Sequence, residues 1–273
     1  MIEAKVIADT VSRAGIRLTT LQLIYPRFIH AEMLTHRSFS RNASSSRAVP
    51  VAKMIRQVQE NPAKPIHWGK NQPGMQAREE LHPHHKVLTE LAWQFAAHQA
   101  ASTAEYLTSL GLHKQVANRI LEPFQLIHVV VTATDWDNFF KLRCHADAQP
   151  EIQALACAMR DAMSESVPGQ SDAHLPYLSV DELETLNKVG FGHLARISAA
   201  RCARVSYMNH DGSQPDVEKD LALADKLRES QHMSPFEHQA QTLSDDTYCK
   251  NFRGWKQFRA TIEEQQNGNN TGN

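Results

Sequence analysis

Apolar and polar residues recur at two different periods along this chain, and the switches between them predict a mixed α/β molecule in which a sheet is packed with long helices. Residues 18–25, Leu-Thr-Thr-Leu-Gln-Leu-Ile-Tyr, are rich in strand formers and predict a strand. Pro26 then opens a helix with Phe28, Ile29 and Met33 on its apolar face. Further helices are predicted over 51–59, over 85–110 and over 150–163. The second of these carries Val87, Leu88, Leu91, Phe95 and Leu107, and Gly111 ends it. A β-branched run over 127–132 predicts a second strand, and Asp216 caps a helix that reaches Leu227 with Val217 and Leu221 on one side.

The segments between are polar. Residues 61–75, with His67, Trp68 and Gly69, form a loop long enough either to cover a substrate or to run as an ordered surface excursion. Residues 164–178 read as a Pro- and Gly-containing linker, and 263–273 as a low-complexity, disordered tail. The expected organisation is one domain over 1–262.

Composition narrows the class. A chain of 273 residues with 41% hydrophobic content can bury a sizeable core. Its net charge of −1 lacks the basic excess that binding a nucleic-acid polymer needs. There is no signal-peptide core and no apolar run of about 18 residues, so neither export nor membrane spanning is expected, and the cytoplasm is the expected location. Cys144, Cys157, Cys202 and Cys249 show neither paired metal spacing nor a disulfide framework. The cluster His82-Pro83-His84-His85 has no Cys or carboxylate at ligand spacing, so it reads as the loop leading into the long helix and no metal site is expected.

The densest chemistry lies in residues 35–47, Thr-His-Arg-Ser-Phe-Ser-Arg-Asn-Ala-Ser-Ser-Ser-Arg, which contain no Asp or Glu. Arg37, Arg41 and Arg47 can each present a fork of donors to phosphate oxygens, and Ser44, Ser45 and Ser46 add hydroxyls. The segment suits a single nucleotide phosphate.

Thr35-His36-Arg37, seven residues, Ser45 and then Arg47 resemble the signature of the flavin-dependent thymidylate synthases, Arg-His-Arg, seven residues, Ser and Arg. Thr35 replaces the first Arg, and Ala43 stands where the family has Glu. The resemblance implies that His36 and Arg37 contact flavin and that Ser45, Ser46 and Arg47 hold the nucleotide. The segment 137–143, Asp-Asn-Phe-Phe-Lys-Leu-Arg, followed by Ala148-Gln149-Pro150-Glu151-Ile152, is similar to the family segment in which an Asn contacts flavin and an Arg polarises uracil, roles that fall to Asn138 and Arg143. Arg119, four residues before Pro123, matches a second nucleotide-binding Arg, and on sequence alone is equally a surface helix arginine. Cys144 adjoins Arg143, but none of the motifs of the cysteine-dependent thymidylate synthases is present.

Two further resembling segments stand out of order. Residues 197–207 and 232–238 are similar to segments that precede the signature in the family, and 251–259 resembles the signature helix a second time. This order implies a circular permutation, of a form found in bacteriophages, with segments 1–163 and 179–262 exchanged about the linker. By resemblance Ser206, His232, Ser234 and Glu237 line the flavin or nucleotide pocket. The implied activity is reductive methylation of dUMP to dTMP with FAD, NADPH and methylenetetrahydrofolate, in a homotetramer. A flavin-dependent C5 hydroxymethylase and a non-catalytic flavin- or nucleotide-binding homologue are the alternatives.

Overall fold

The structure is a computed structural model and describes residues 2–205 and 213–270. Strand β1 (Glu3–Val11) and strand β2 (Arg17–Pro26) form an antiparallel hairpin, with a register shift between Val6 and Ala8. A 3-10 turn (Arg27–Ile29) and helix α1 (His30–Leu34) follow at Pro26, and the chain returns as β3 (Ser40–Ala43). Strand β4 (Leu126–Ala133) lies between β2 and β3, antiparallel to both, and β5 (Gly169–Gln170) runs parallel to β1, giving the order β3-β4-β2-β1-β5.

Helix α2 (Val51–Glu60), helix α3 (Pro83–Ser109) and helix α4 (Lys114–Leu121) make a separate helical unit. The face of α3 turned to its neighbours is Ala97, Ala100, Ala101 and Ala104, whose small side chains admit Val51, Ile55, Val58 and Leu121. The larger residues that mark this helix in the sequence stay outside. Val87, Leu88, Leu91 and Phe95 are between 52% and 65% exposed.

Helix α5 (Asp137–Arg143) and helix α6 (Pro150–Glu165) cover one face of the sheet. Strand periodicity explains the packing: Leu21, Leu23 and Tyr25 of β2 and Ile127, Val129 and Val131 of β4 point to Ile152, Leu155 and Met159 of α6. Each such burial stabilises the fold by about 1.5–3 kcal/mol. The intervening residues point to the other face, and there the strands present hydroxyls.

That second face carries the C-terminal unit. Strand β6 (Ala173–His174) pairs with β7 (Ala240–Thr242), while β8 (Tyr248–Cys249) pairs with β9 (Phe252–Arg253), and β10 (Trp255–Gln257) completes the three-stranded order β10-β7-β6. Around them run α7 (Val180–Leu186), α8 (Phe191–Arg204), α9 (Val217–Glu229) and α10 (Phe258–Asn270). A row of buried side chains joins this unit to the sheet: Thr10 Oγ1 to His174 Nδ1 at 2.6 Å, His174 Nε2 to Thr20 Oγ1 at 2.7 Å, Thr20 to Thr132 at 2.7 Å, and Thr132 Oγ1 to His238 Nδ1 at 2.8 Å. His174 and His238 are fully buried, and burial pushes both imidazoles down to about 3.

Three expectations about this half are corrected. Residues 164–178 are not a solvated linker, because β5 and β6 pair into sheets and Leu175, Tyr177 and Leu178 are buried. Residues 251–257 do not repeat the signature helix: they form β9 and β10, joined at Gly254 (φ 69°), where an added Cβ would meet Ile16 Cδ1 at 2.5 Å. Burial of Trp255, whose indole N–H donates to the Ile16 carbonyl at 3.1 Å, holds the segment extended. Residues 263–270 continue α10 where composition predicts disorder, since Glu263 pairs with both Arg259 and Lys250.

Candidate active site

The signature segment begins at the end of α1. Arg41 on β3 turns back and donates through Nη1 to the carbonyls of Leu34 at 2.7 Å, His36 at 3.0 Å and Met33 at 3.3 Å, satisfying groups that the helix end leaves open. Of the three arginines expected to face phosphate, this one is therefore spent on the fold. Arg37 and Arg47 are exposed, and their guanidinium groups have no hydrogen-bond or ion-pair partner among the described residues.

His36 is buried, with the ring of Phe139 edge-on at 4.8 Å and that of Phe39 at 6.0 Å. Its Nε2 accepts from Arg143 Nε at 2.9 Å. Burial holds the imidazole below its ordinary value, and the charges of Arg143 and Arg41 push the same way. Arg143 also reaches Thr35 Oγ1 with Nη2 at 3.4 Å, while Thr35 donates to the Glu32 carbonyl at 2.7 Å. The residue that departs from the signature thus touches the arginine expected to face uracil. Asn138 sits in the first turn of α5, exposed, beside the Phe139 that packs on His36.

The nucleotide-binding candidates also converge. Ser46 is buried and donates to Glu122 Oε1 at 3.2 Å, and Arg119 Nη1 donates to the same oxygen at 2.7 Å. Arg27 Nη2 is 3.1 Å from it. Asn118, fully buried, donates to the carbonyls of Ser46 at 2.6 Å and Val49 at 3.1 Å and so fixes the path of the serine loop. Ser45 is exposed, its Oγ accepting from the Arg47 N–H at 3.3 Å. Sequence reading missed Arg27, Asn118 and Glu122; the adjacency of Asn118 and Glu122 to Arg119 was the available signal.

Residues 18–169, more than half of the chain, match the model of Thy1, the thymidylate synthase complementing protein family. The chain belongs to the Thy1 family. A solved structure of the UMP/dUMP methylase PolB from Streptomyces cacaoi, bound with 5-Br dUMP, is similar with a TM-score of 0.50 and 15% identity, over 60% of this chain and 90% of that one. The same protein bound with 5-Br UMP gives 0.49 and 15%, over 60% and 89%. At this identity the likeness is one of fold. No curated protein matches the chain.

The Thy1 match ends before the C-terminal unit, so the expected residues there stand on their own geometry. Ser234 Oγ donates to Asn42 Oδ1 at 3.0 Å, which places the 3-10 turn (Ser234–Glu237) directly against β3. Asn42 Nδ2 in turn donates to the Cys202 carbonyl at 2.9 Å, at the end of α8. That helix closes on Val205 at φ 54°, a conformation costly for a β-branched residue, and Ser206 beyond it lies outside the described residues. Glu237 pairs with Arg259, and its charge acts on Arg41. His232 is exposed, with its Nδ1 3.1 Å from Ser230 Oγ, and none of its hydrogen bonds among the described residues reaches the signature.

Two other chemistries gain no support from this Thy1 chain. The Cys144 thiol is pushed up to about 11 by burial and by neighbouring Cys157, so it is not a ready thiolate. Among the described residues no group of three or more His, Cys, Asp or Glu is placed to hold a metal ion, and no helix is long and apolar enough to cross a membrane.

Proposed function

We propose that this Thy1 member catalyses the reductive methylation of dUMP to dTMP, with FAD as cofactor, methylenetetrahydrofolate as carbon donor and NADPH as reductant. The observation that carries the reading is the hydrogen bond from Arg143 to His36, which joins the two halves of the expected site at one point. Arg37 and Asn138, both exposed and without a side-chain partner among the described residues, adjoin His36 and Phe139 in the chain, and the donors Ser46 and Arg119 converge on Glu122 Oε1. The shared fold with a UMP/dUMP methylase bound with 5-Br dUMP supports the nucleotide class.

The residues present fit a flavin. Arg37 and Asn138 offer exposed donors beside His36 and Phe139, and Ser234, Glu237 and His232 are the further flavin candidates that the resemblance gives. Bound FAD supplies hydride chemistry that side chains lack. Ser45, Ser46, Arg47 and Arg119 hold the nucleotide phosphate, which fixes where its base lies. Arg143 keeps a full positive charge where negative charge grows on the pyrimidine ring, and a preorganised donor of this kind lowers the barrier without reorganising. His36, neutral and accepting from Arg143 Nε, aims the guanidinium. No protein nucleophile is used.

The reading extends to the assembly and the segment order. The exposed apolar side of α3 is the face available for a homotetramer, and a circular permutation calls for β2, the strand before Pro26, to lie with the segment 234–238; the Ser234–Glu237 turn packs on β3, with β4 between β3 and β2. By the same resemblance the enzyme is read as phage-encoded, acting in the host cytoplasm. Incubation of the purified protein with FAD, dUMP, methylenetetrahydrofolate and NADPH, followed by mass spectrometry of the nucleotide, tests the reading. A methylated product supports it; a hydroxymethylated product would replace it with C5 hydroxymethylation, and no turnover with nucleotide bound would leave a binding protein.

A further inference from the structure

One oxygen, Glu122 Oε1, is the meeting point of donors from three separate parts of the chain. Arg119 reaches it from α4 at 2.7 Å, Arg27 from the turn after β2 at 3.1 Å and Ser46 from the serine loop at 3.2 Å. Two guanidinium groups against one carboxylate leave the cluster with a surplus positive charge, and Arg47, without a side-chain partner among the described residues, adjoins Ser46. Three convergent donors with excess positive charge are what a phosphate group needs, since its oxygens accept charge-assisted bonds best from arginine forks. Here a carboxylate stands at their centre.

We propose that Glu122 is an internal stand-in for the substrate phosphate, displaced when nucleotide binds, and that Arg27 is a further phosphate-binding residue. Ser46 and Arg119 belong to the proposed dUMP site, so the identity of the nucleotide rests on that reading; the anion chemistry does not. The Glu122 side chain is 26% exposed, which leaves it a way out to solvent. A phosphate brings more negative charge and one more acceptor oxygen than the carboxylate, so it takes over all three donors. Until then Glu122 occupies the donors that the phosphate needs, so the nucleotide must displace it to bind. It also opposes weaker anions, and a nucleoside without phosphate gains nothing from the cluster.

The test compares dUMP, inorganic phosphate and deoxyuridine as probes by titration calorimetry on the full chain. Where a competing internal contact closes a site, the apparent affinity is reduced by the fraction of open molecules, so Glu122→Gln should tighten dUMP and phosphate by about tenfold and leave deoxyuridine unchanged. Glu122→Asp, too short to reach Arg27 and Ser46 together, should act in the same direction. Arg27→Gln should weaken dUMP and phosphate by about tenfold, the loss of one charge-assisted bond, without changing deoxyuridine. Unchanged or weakened phosphate affinity in both Glu122 variants overturns the stand-in, as does a wild type and variants that all fail to bind phosphate. Unchanged dUMP affinity in Arg27→Gln removes Arg27 from the site. Phosphate that binds and responds to these substitutions while dUMP does not bind would end the dUMP reading alone.

Discussion

Arg143 Nε lies 2.9 Å from His36 Nε2, so a permanent cation donates to an imidazole that must be neutral and carry its own proton on Nδ1. The tautomer follows from the hydrogen-bond pattern, since Nε2 is the acceptor. The pair ties the orientation of one residue to the protonation of the other.

Arg143→Ala should lower turnover by about 10²–10³, the usual worth of one preorganised donor, while FAD stays bound. Stopped-flow kinetics should find the loss when reduced flavin meets dUMP and folate, with reduction by NADPH unaffected. His36 loses a neighbouring positive charge in this variant, so its NMR titration should move up from the wild-type value. An imidazole that titrates where it did before would mean that the hydrogen bond does not form in solution.

Arg47→Ala should weaken dUMP binding by about 1.5–3 kcal/mol, the worth of a charge-assisted contact, with flavin retained. Lysine at this position should restore only part of the loss if the contact uses both arms of the fork. Equilibrium dialysis with labelled dUMP measures this, and an unaltered affinity would place the phosphate elsewhere.

The protein should take up FAD in a fixed ratio, and Arg37→Ala should cost it about 1.5–3 kcal/mol of flavin affinity. Flavin absorbance after gel filtration reads both. A colourless protein after reconstitution would leave the Thy1 fold without its expected chemistry.

Stability should fall in mild acid because of His174 and His238. Burial holds both near 3 in the fold, whereas an unfolded histidine titrates near 6.5. Between those values the unfolded chain binds more protons, so this contribution is fully present above about pH 6.5 and is lost as pH falls toward about 3. Each imidazole contributes a slope of about 1.4 kcal/mol per pH unit within the window. Urea midpoints measured from neutral to mildly acidic pH should show it, and His238→Gln should flatten the curve. A midpoint that does not move would show that the two rings are not held neutral.

Charges on the outer side of α3 should break the assembly. Leu91→Lys with Phe95→Lys removes the centre of the exposed apolar side while leaving Ala97, Ala100 and Ala104 on the packed side in place. Light scattering should then give a smaller species with an unchanged circular dichroism spectrum. A mass equal to that of the wild type would clear this side of any role in association.

Much of the N-terminal fold was legible because local signals and tertiary packing agree there. Strand β2 carries strand formers whose alternate members meet α6, and a 3-10 turn that leads into α1 opens just after Pro26; in the C-terminal unit, α9 begins at the capping Asp216 as expected. The signature spacing singled out His36, but its contact with Arg143, 107 residues on, could be seen only in the fold. What could not be read depends on where the folded chain brings its partners. Arg41 looks identical to Arg37 until α1 ends beneath it, and Glu122 is an ordinary helix-end carboxylate until Arg27 and Ser46 arrive. The 164–178 segment has linker composition, and only pairing with β1 and β7 makes parts of it strands. On α3 the large hydrophobics suggest the inner side, but the helical unit packs through alanines.

The row of hydroxyls and imidazoles from Thr10 to His238 also fixes alignment. Apolar surface attracts in every lateral position, so valines and leucines alone would let the C-terminal unit shift along the strands with little loss. Hydrogen bonds between Thr20, Thr132, His174 and His238 are made at one offset only, and any slip leaves buried polar atoms unpaired. The row works as teeth on a rack. It sets how far along β3 the Ser234–Glu237 turn comes to rest, and so the spacing between Ser234 and the signature is determined by residues outside the candidate site.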